Sequence, residues 1–207
     1  MLDEINTRHQ VAYDEIAERF AEINAEMPAG YLVPAQEFGK LAEAGPILDL
    51  GCGAGRDMAY WADRGRRVVG LDLSLGMLRQ AAARCGQPLA QGDMCGLPFR
   101  AGVFTGVWCS ASLLHLPKAL APVVLAEIAR VLRPGGVLMV ALKEGGGEGW
   151  EDESFWNTPG GVTRFFARYA SAEVDALLAA AFDTRVQRRY TSEIGTAWLT
   201  HLAVRRP

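Results

Sequence analysis

The chain has 207 residues, half of them apolar and 22% charged, with a formal net charge of −3. That is enough chain for one domain with a sizeable core, and the charge gives no basic surface of the kind nucleic acids select. No apolar run of roughly eighteen or more residues marks a membrane span, and Met1-Leu2-Asp3-Glu4-Ile5 has neither the basic nor the apolar region of a secretory signal.

From residue 8 to 26, Val11, Ile16, Phe20 and Ile23 recur near helical spacing with charges between them, which predicts an amino-terminal helix ended by Met27-Pro28-Ala29-Gly30. A second short helix is expected over 34–44. The apolar run Ile47-Leu48-Asp49-Leu50 then opens into Gly51-Cys52-Gly53-Ala54-Gly55-Arg56, and a second run ends in Val69-Gly70-Leu71-Asp72-Leu73. Strand, glycine turn, helix and a second strand tipped by a carboxylate form a unit that holds a nucleoside against the carboxyl ends of parallel strands. The dinucleotide fingerprint needs Gly or Ala three residues after its second glycine, where helix packs on strand. Arg56 stands there and disfavours an oxidoreductase of that type. No Gly-Lys-Ser/Thr follows, so the lysine-bearing phosphate loop is excluded.

Ser74 is placed to cap a helix over 75–84. A short run, 88–91, leads to Gly92-Asp93-Met94, and 104–109 reads as a buried strand running into Ser110-Ala111-Ser112-Leu113-Leu114-His115-Leu116-Pro117. A helix through Val131 is broken at Leu132-Arg133-Pro134-Gly135-Gly136, and 137–142 is another strand. The alternation implies right-handed crossovers and a parallel sheet. Residues 143–150 hold Gly145, Gly146, Gly147 and Gly149 and are expected as an irregular loop over a ligand crevice. A helix over 171–181, capped by Ser171 with Glu173 in its first turn, precedes two strands, 184–190 and 196–204. Their short link predicts an antiparallel pair at one sheet edge.

This ordered set of motifs resembles the class I S-adenosylmethionine-dependent methyltransferases, particularly the small bacterial type with a Leu-Asp-Leu-Gly-Cys-Gly-x-Gly first motif. The likeness spans roughly residues 46–142. It implies an α/β, Rossmann-like seven-stranded sheet of order 3-2-1-4-5-7-6 with only strand 7 antiparallel and helices on both faces. One domain is expected over 1–207: a helical cap (1–45), a donor-binding core (46–142) and a substrate-side segment (143–207). S-adenosylmethionine is the implied donor and S-adenosylhomocysteine its product.

On that likeness Asp72 takes both ribose hydroxyls through charge-assisted bonds, unless it is only a helix-start acid. Asp93 accepts from the adenine amino group, or is a polar turn residue, and the Met94 N–H faces the ring. Leu73 and Met77 sandwich the adenine, or belong to the core. Gly51, Cys52 and Gly53 lie against the methionine portion. Asp49 orients the turn or reaches the amino group through water, and Cys109 and Ser110 offer backbone carbonyls to it. For the donor's carboxylate the candidates are Tyr13, in a Tyr13-Asp14-x-x-Ala17-x-x-Phe20 pattern similar to a cap seen in relatives, and Arg56, which could instead pair with surface acids.

On the acceptor side, His115 is a candidate general base with a pKa near neutrality, or a structurally satisfied histidine. Trp150, Trp156, Phe165, Phe166 and Tyr169 form either an aromatic lid or packing for the last helix. The expected activity is methyl transfer to an oxygen or nitrogen of a small-molecule acceptor; the alternative is a donor-binding module without transfer. No Asn-Pro-Pro-Tyr-like tetrapeptide follows the fourth strand, which on the likeness argues against methylating amino groups of DNA bases or glutamine. Cys52, Cys85, Cys95 and Cys109 lack Cys-x-x-Cys spacing, so reduced thiols in a cytoplasmic protein are expected, with no metal. Neither nucleic acid nor membrane is an expected partner, and the protein is expected as a monomer or homodimer.

Overall fold

A computed structural model of the chain describes residues 2–153 and 161–207. The amino-terminal helix α1 (Leu2–Ile23) is followed by α2 (Ala29–Leu41), β1 (Ile47–Leu50), α3 (Arg56–Ala62), β2 (Val68–Asp72), α4 (Leu75–Cys85) and β3 (Leu89–Gln91). Then come β4 (Phe104–Ser110), a 3-10 turn (Leu113–His115), α5 (Ala121–Val131), β5 (Leu132–Lys143), β6 (Glu148–Glu153), β7 (Val162–Ala167), α6 (Ser171–Leu178), β8 (Phe182–Thr191) and β9 (Ala197–Arg205).

Seven strands form one sheet in the order β3-β2-β1-β4-β5-β9-β8. β9 runs antiparallel to both its neighbours and the remaining pairs are parallel. Counted within this sheet, that is the expected 3-2-1-4-5-7-6 arrangement. The strand order reverses between β1 and β4, so both leave their carboxyl ends beside an open crevice, the place where α/β sheets bind ligands. β1 and β4 read as continuous apolar runs because both of their faces are covered. On one face α5 packs Val124, Leu125, Ile128 and Val131. On the other, α2 and α3 bring Tyr31, Phe38, Met58 and Trp61 against Trp108.

The cap is fastened by polar contacts as well as by its apolar face. Asp14 Oδ1 accepts from Ser74 Oγ at 2.5 Å and from the Gly76 N–H at 2.7 Å, seating a carboxylate on the amino end of α4. Arg84 donates to the carbonyls of Ala25 and Ala21 at the other end of α1. These bonds explain the Tyr13-Asp14-x-x-Ala17 pattern. Asp14 fixes the helix, Ala17 is small enough to pass Gly76, where an added Cβ would meet it at 3.1 Å, and Tyr13 is turned toward the crevice.

Several boundaries differ from expectation. α2 starts a turn earlier, at Ala29, with Pro34 inside it, because Tyr31, Pro34, Ala35 and Phe38 make one buried face at helical spacing. α6 is shorter, and its amino-terminal cap is Ala170 rather than Ser171; Glu173 accepts from the Ala170 N–H at 2.9 Å. The glycine-rich stretch is not wholly irregular. Gly145 to Gly147 turn the chain, but Glu148 to Glu153 form β6, paired antiparallel with β7. Trp150 faces Phe165, Thr163 Oγ1 donates to Asp152 at 2.6 Å, and Arg164 pairs with Glu153. Cross-strand pairs of this kind hold a two-stranded ribbon that glycine content alone would forbid.

Candidate active site

A cavity of about 480 Å³ opens at the carboxyl ends of β1, β2 and β4, roofed by α1 and by the β6–β7 ribbon. Of the residues singled out from sequence, Tyr13, Asp49, Gly51, Cys52, Gly53, Arg56, Asp72, Leu73, Met77, Asp93, Met94, Ser110 and His115 all line it. Cys109 does not. Its side chain is fully buried, the thiol 3.2 Å from Ser112 Oγ, so any part it plays at the cavity falls to its backbone carbonyl.

The glycine turn owes its residues to two different causes. Gly51 has φ +73°, and a Cβ there would lie 2.3 Å from the Cβ of Ser112, whose hydroxyl donates to the Leu50 carbonyl at 2.6 Å. Protein packing alone demands that glycine. At Gly53 (φ +52°) a Cβ would meet nothing closer than Phe20, at 3.6 Å, and would otherwise enter the cavity. The chain leaves this backbone bare toward the crevice.

Asp49, Asp57, Asp72 and Asp93 line this end. Asp72 accepts the Gly53 N–H on Oδ2 at 2.8 Å and the Ser74 N–H on Oδ1 at 2.9 Å. Each oxygen thus accepts one backbone N–H. Burial pushes the Asp72 pKa up, opposed by the N–H groups of Ser74, Gly53 and Leu73. Asp93 accepts from Asn6 Nδ2 at 2.6 Å and from the Cys95 N–H at 2.8 Å. Asp49 is only 2% exposed, and its Oδ2 has no hydrogen-bond partner among the described residues. Burial first, and then the charge of Asp57, hold its pKa well above the carboxylate range. Arg56 reaches the cavity already engaged: Nε and Nη2 clasp Asp57 at 2.6 and 3.0 Å. Its partner is thus a buried acid, itself fixed by Trp108 Nε1 at 2.8 Å, and not a surface one.

The other end is built by α1, the β4 tail and β7. His115 Nδ1 lies 2.9 Å from the Phe165 carbonyl, which can only accept, so Nδ1 carries the proton. Nε2, 2.7 Å from the Tyr13 hydroxyl, is then the acceptor, and that hydroxyl in turn accepts from Arg164 Nη1 at 2.6 Å. Burial drives the His115 pKa well below 6.5, with His9 and Arg164 adding to it. A near-neutral imidazole free to take a proton is therefore not what this position holds. His9, also lining the cavity, is pushed down to about 4 by burial, then by Arg164. Arg164, 7% exposed, pairs with Glu153 across the ribbon. Lys143, at the end of β5, lays its ammonium 3.4 Å from the Phe166 ring centre. Ala111, in the same wall, is the one described non-glycine residue with positive φ (+54°), a strained position typical of ligand sites.

The aromatic cluster divides. Phe166 lines the cavity, Phe165 is buried beside Trp150, and Tyr169 lies fully in the core. Trp156 falls outside the described residues. Sequence reasoning missed His9, Lys143, Glu153 and Arg164. For Arg164 a signal existed: a lone cation inside the run Val162-Thr163-Arg164-Phe165-Phe166 is rarely buried without a task. No helix among the described residues is long and apolar enough to cross a membrane.

Residues 48–140 match a family model described as a methyltransferase domain. The malonyl-[acyl-carrier protein] O-methyltransferase of Salmonella typhimurium is 41% identical over 96 residues, covering 44% of this chain and 36% of that protein. The demethylmenaquinone methyltransferase of Mycolicibacterium vanbaalenii is 36% identical over 138 residues, covering 64% of this chain and 59% of that one. The chain thus spans 36% to 59% of the length of these two relatives. In fold, it is similar to the 1,6-didemethyltoxoflavin-N1-methyltransferase of Burkholderia thailandensis, solved with 1,6-didemethyltoxoflavin and S-adenosylhomocysteine. That match has a TM-score of 0.74 at 22% identity and covers 98% of this chain and 88% of that one. An S-adenosylmethionine-dependent methyltransferase of Methanosarcina mazei gives 0.73 at 18% identity, covering 82% and 97%. Domain match, relatives and sheet order agree on a methyltransferase domain of Rossmann-like fold, with its matched core over residues 48–140.

Proposed function

We propose that this chain transfers the methyl group of S-adenosylmethionine to an oxygen or nitrogen of a small-molecule acceptor. The observation that carries the reading is the complementarity of the acidic end of the cavity to that donor. Asp72 brings a carboxylate to the cavity, which suits a vicinal diol. Asp49 presents a buried oxygen without a partner, which suits an ammonium. Gly53 leaves room where a side chain would stand. Asp93 and the Met94 N–H are the groups for a purine edge, and Leu73 and Met77 its apolar neighbours.

When bound, the donor supplies a methyl carbon activated by its sulfonium. The chain's own task is to hold the partners, exclude water and align them, an effect worth roughly 7–11 kcal/mol of barrier. Tyr13 is the residue best placed to help: its hydroxyl is locked between Arg164 and His115, so its oxygen has one fixed orientation. His115 serves in this reading by positioning Tyr13. Its imidazole is a weak base, so it is not assigned the removal of a proton.

Calorimetric titration with S-adenosylhomocysteine tests the donor site, and release of that product in the presence of candidate acceptors tests transfer. Saturable binding abolished by Asp72→Ala is expected. A protein that binds neither donor nor product would refute the proposal.

A further inference from the structure

One cation at the cavity has no ion-pair partner among the described residues. Near Lys143, every other charge given a partner is balanced: Arg164 by Glu153, Arg168 by Glu151, Arg189 by Glu144. His9 and His115 are held neutral by burial. Lys143 makes no ion pair or hydrogen bond with its ammonium among the described residues. Its one named contact is the face of Phe166. The ammonium is half-buried, lines the cavity, and lies beside the Tyr13–His115–Arg164 chain. Glu151 and Glu153 act on it favourably through space, but each is shared with an arginine, Arg168 and Arg164, that opposes them; an amine that has lost part of its water without a counter-ion of its own is unfavourable in the free protein. An anionic ligand would supply what is missing.

Resting on the proposed transferase reading, we infer that the acceptor enters as a monoanion, a carboxylate held by Lys143, and that its own oxygen is the nucleophile. One leftover positive charge matches one negative charge, which favours a carboxylate over a phosphate dianion. The weakness of the nearby imidazoles as bases fits the same conclusion, because an ionised oxygen needs no proton removed. In the step, the carboxylate oxygen gives an electron pair to the methyl carbon while the sulfur–carbon bond breaks and its pair returns to sulfur. A neutral ester and a neutral thioether result, the two opposite charges cancel, and no proton is released. Phe166, Tyr13 and His9 give the acceptor's carbon frame an aromatic surface to lie on.

The test uses matched acid and amide probes, benzoate against benzamide and phenylacetate against phenylacetamide. Their binding is measured by calorimetry to the purified protein, with and without saturating S-adenosylhomocysteine. The acid of each pair is expected to bind about tenfold tighter or more than its amide, the scale of one charged hydrogen bond. Lys143→Met should erase that preference and Lys143→Arg should restore it, with S-adenosylhomocysteine affinity unchanged in both. Equal binding of acid and amide, no binding of either, or a preference that survives Lys143→Met would overturn the inference. So would loss of product affinity in Lys143→Met, since the lysine would then serve the donor's own carboxylate. Absence of S-adenosylhomocysteine binding to the unaltered protein sinks the donor reading instead, and the acid preference measured without it still decides the present one.

Discussion

Asp49→Asn should make the free protein more stable at neutral pH and a poorer binder of the donor. In the unfolded chain Asp49 ionises near the ordinary carboxylate value of about 3.9. In the folded chain its pKa is raised, by burial first and by the charge of Asp57 second. A raised folded pKa means the residue's contribution to stability is fully present below the unfolded value and is lost as pH climbs through the folded one. The loss is about 1.4 kcal/mol for each pH unit between the two values. Asparagine carries no such penalty. The variant should match the native protein near pH 4, exceed it increasingly as pH rises, and hold a constant lead once the folded pKa of Asp49 is passed. Each kcal/mol would move Tm by about 2–4 °C in a chain of this size. Donor affinity should move the other way, because an ammonium on the unpartnered Oδ2 would make a charged hydrogen bond worth about 1.5–3 kcal/mol, or roughly ten- to a hundredfold. Thermal melts across pH, with calorimetry using S-adenosylhomocysteine, read both effects. A variant less stable at pH 8 with unchanged affinity would show that Asp49 is a structural acceptor and refute the reasoning.

Four further substitutions probe the rest of the site. Asp72→Asn turns an NH2 toward one of two backbone N–H donors, so it should cost about 1–3 kcal/mol of stability and weaken product binding tenfold or more; unchanged affinity would move the ribose elsewhere. Gly53→Ala meets only left-handed strain of about 1–2 kcal/mol, whereas Gly51→Ala also collides with Ser112, so calorimetry on the first should show lost binding in a protein that still folds. His9, held down to about 4 against 6.5, gives up stability as pH falls through that window, on the order of 3 kcal/mol; His9→Gln should flatten the acid limb of a Tm–pH curve. His115→Gln should lower turnover while the pH–rate profile between 6 and 8 keeps its shape, because the imidazole is already neutral across that range. A profile that loses an inflection would restore His115 as a base.

The end of the cavity proposed for the donor was legible because its residues sit at chain positions fixed by topology. Asp72 ends β2, the glycine turn follows β1, and Asp93 follows β3, so apolar runs and punctuation were enough to place them. Arg56 was ambiguous for a reason the chain hides. Its partner Asp57 is the next residue, and only the fold brings the Trp108 indole to bury that pair. The opposite end, proposed for the acceptor, was illegible because it depends on pairing between distant segments. Nothing within residues 143–150 says that Trp150 will face Phe165, and without that ribbon Arg164 has no route to Tyr13. For Cys109 the sequence offers no guide: a strand buried on both faces gives no hint of which residues at its end still touch the crevice.

Three unfavourable features of the free molecule meet at this cavity. Asp49 has an acceptor without a partner among the described residues, Lys143 a charge without an ion pair of its own among them, and Ala111 a backbone angle that a glycine would hold more cheaply. Each could be relieved by a conservative substitution, and none is required by the core, which is closed by α2, α3 and α5 on the two faces of the sheet. Strain that a fold does not need and does not shed marks surfaces completed by something else. The sign of each deficit tells what completes it. A cation is wanted over β1 and an anion beyond β4, with Tyr13 between two neighbours that fix its hydroxyl. A sulfonium-bearing amino acid nucleoside and a carboxylate acceptor meet those two demands from opposite ends, and their charges cancel where the cavity brings them together.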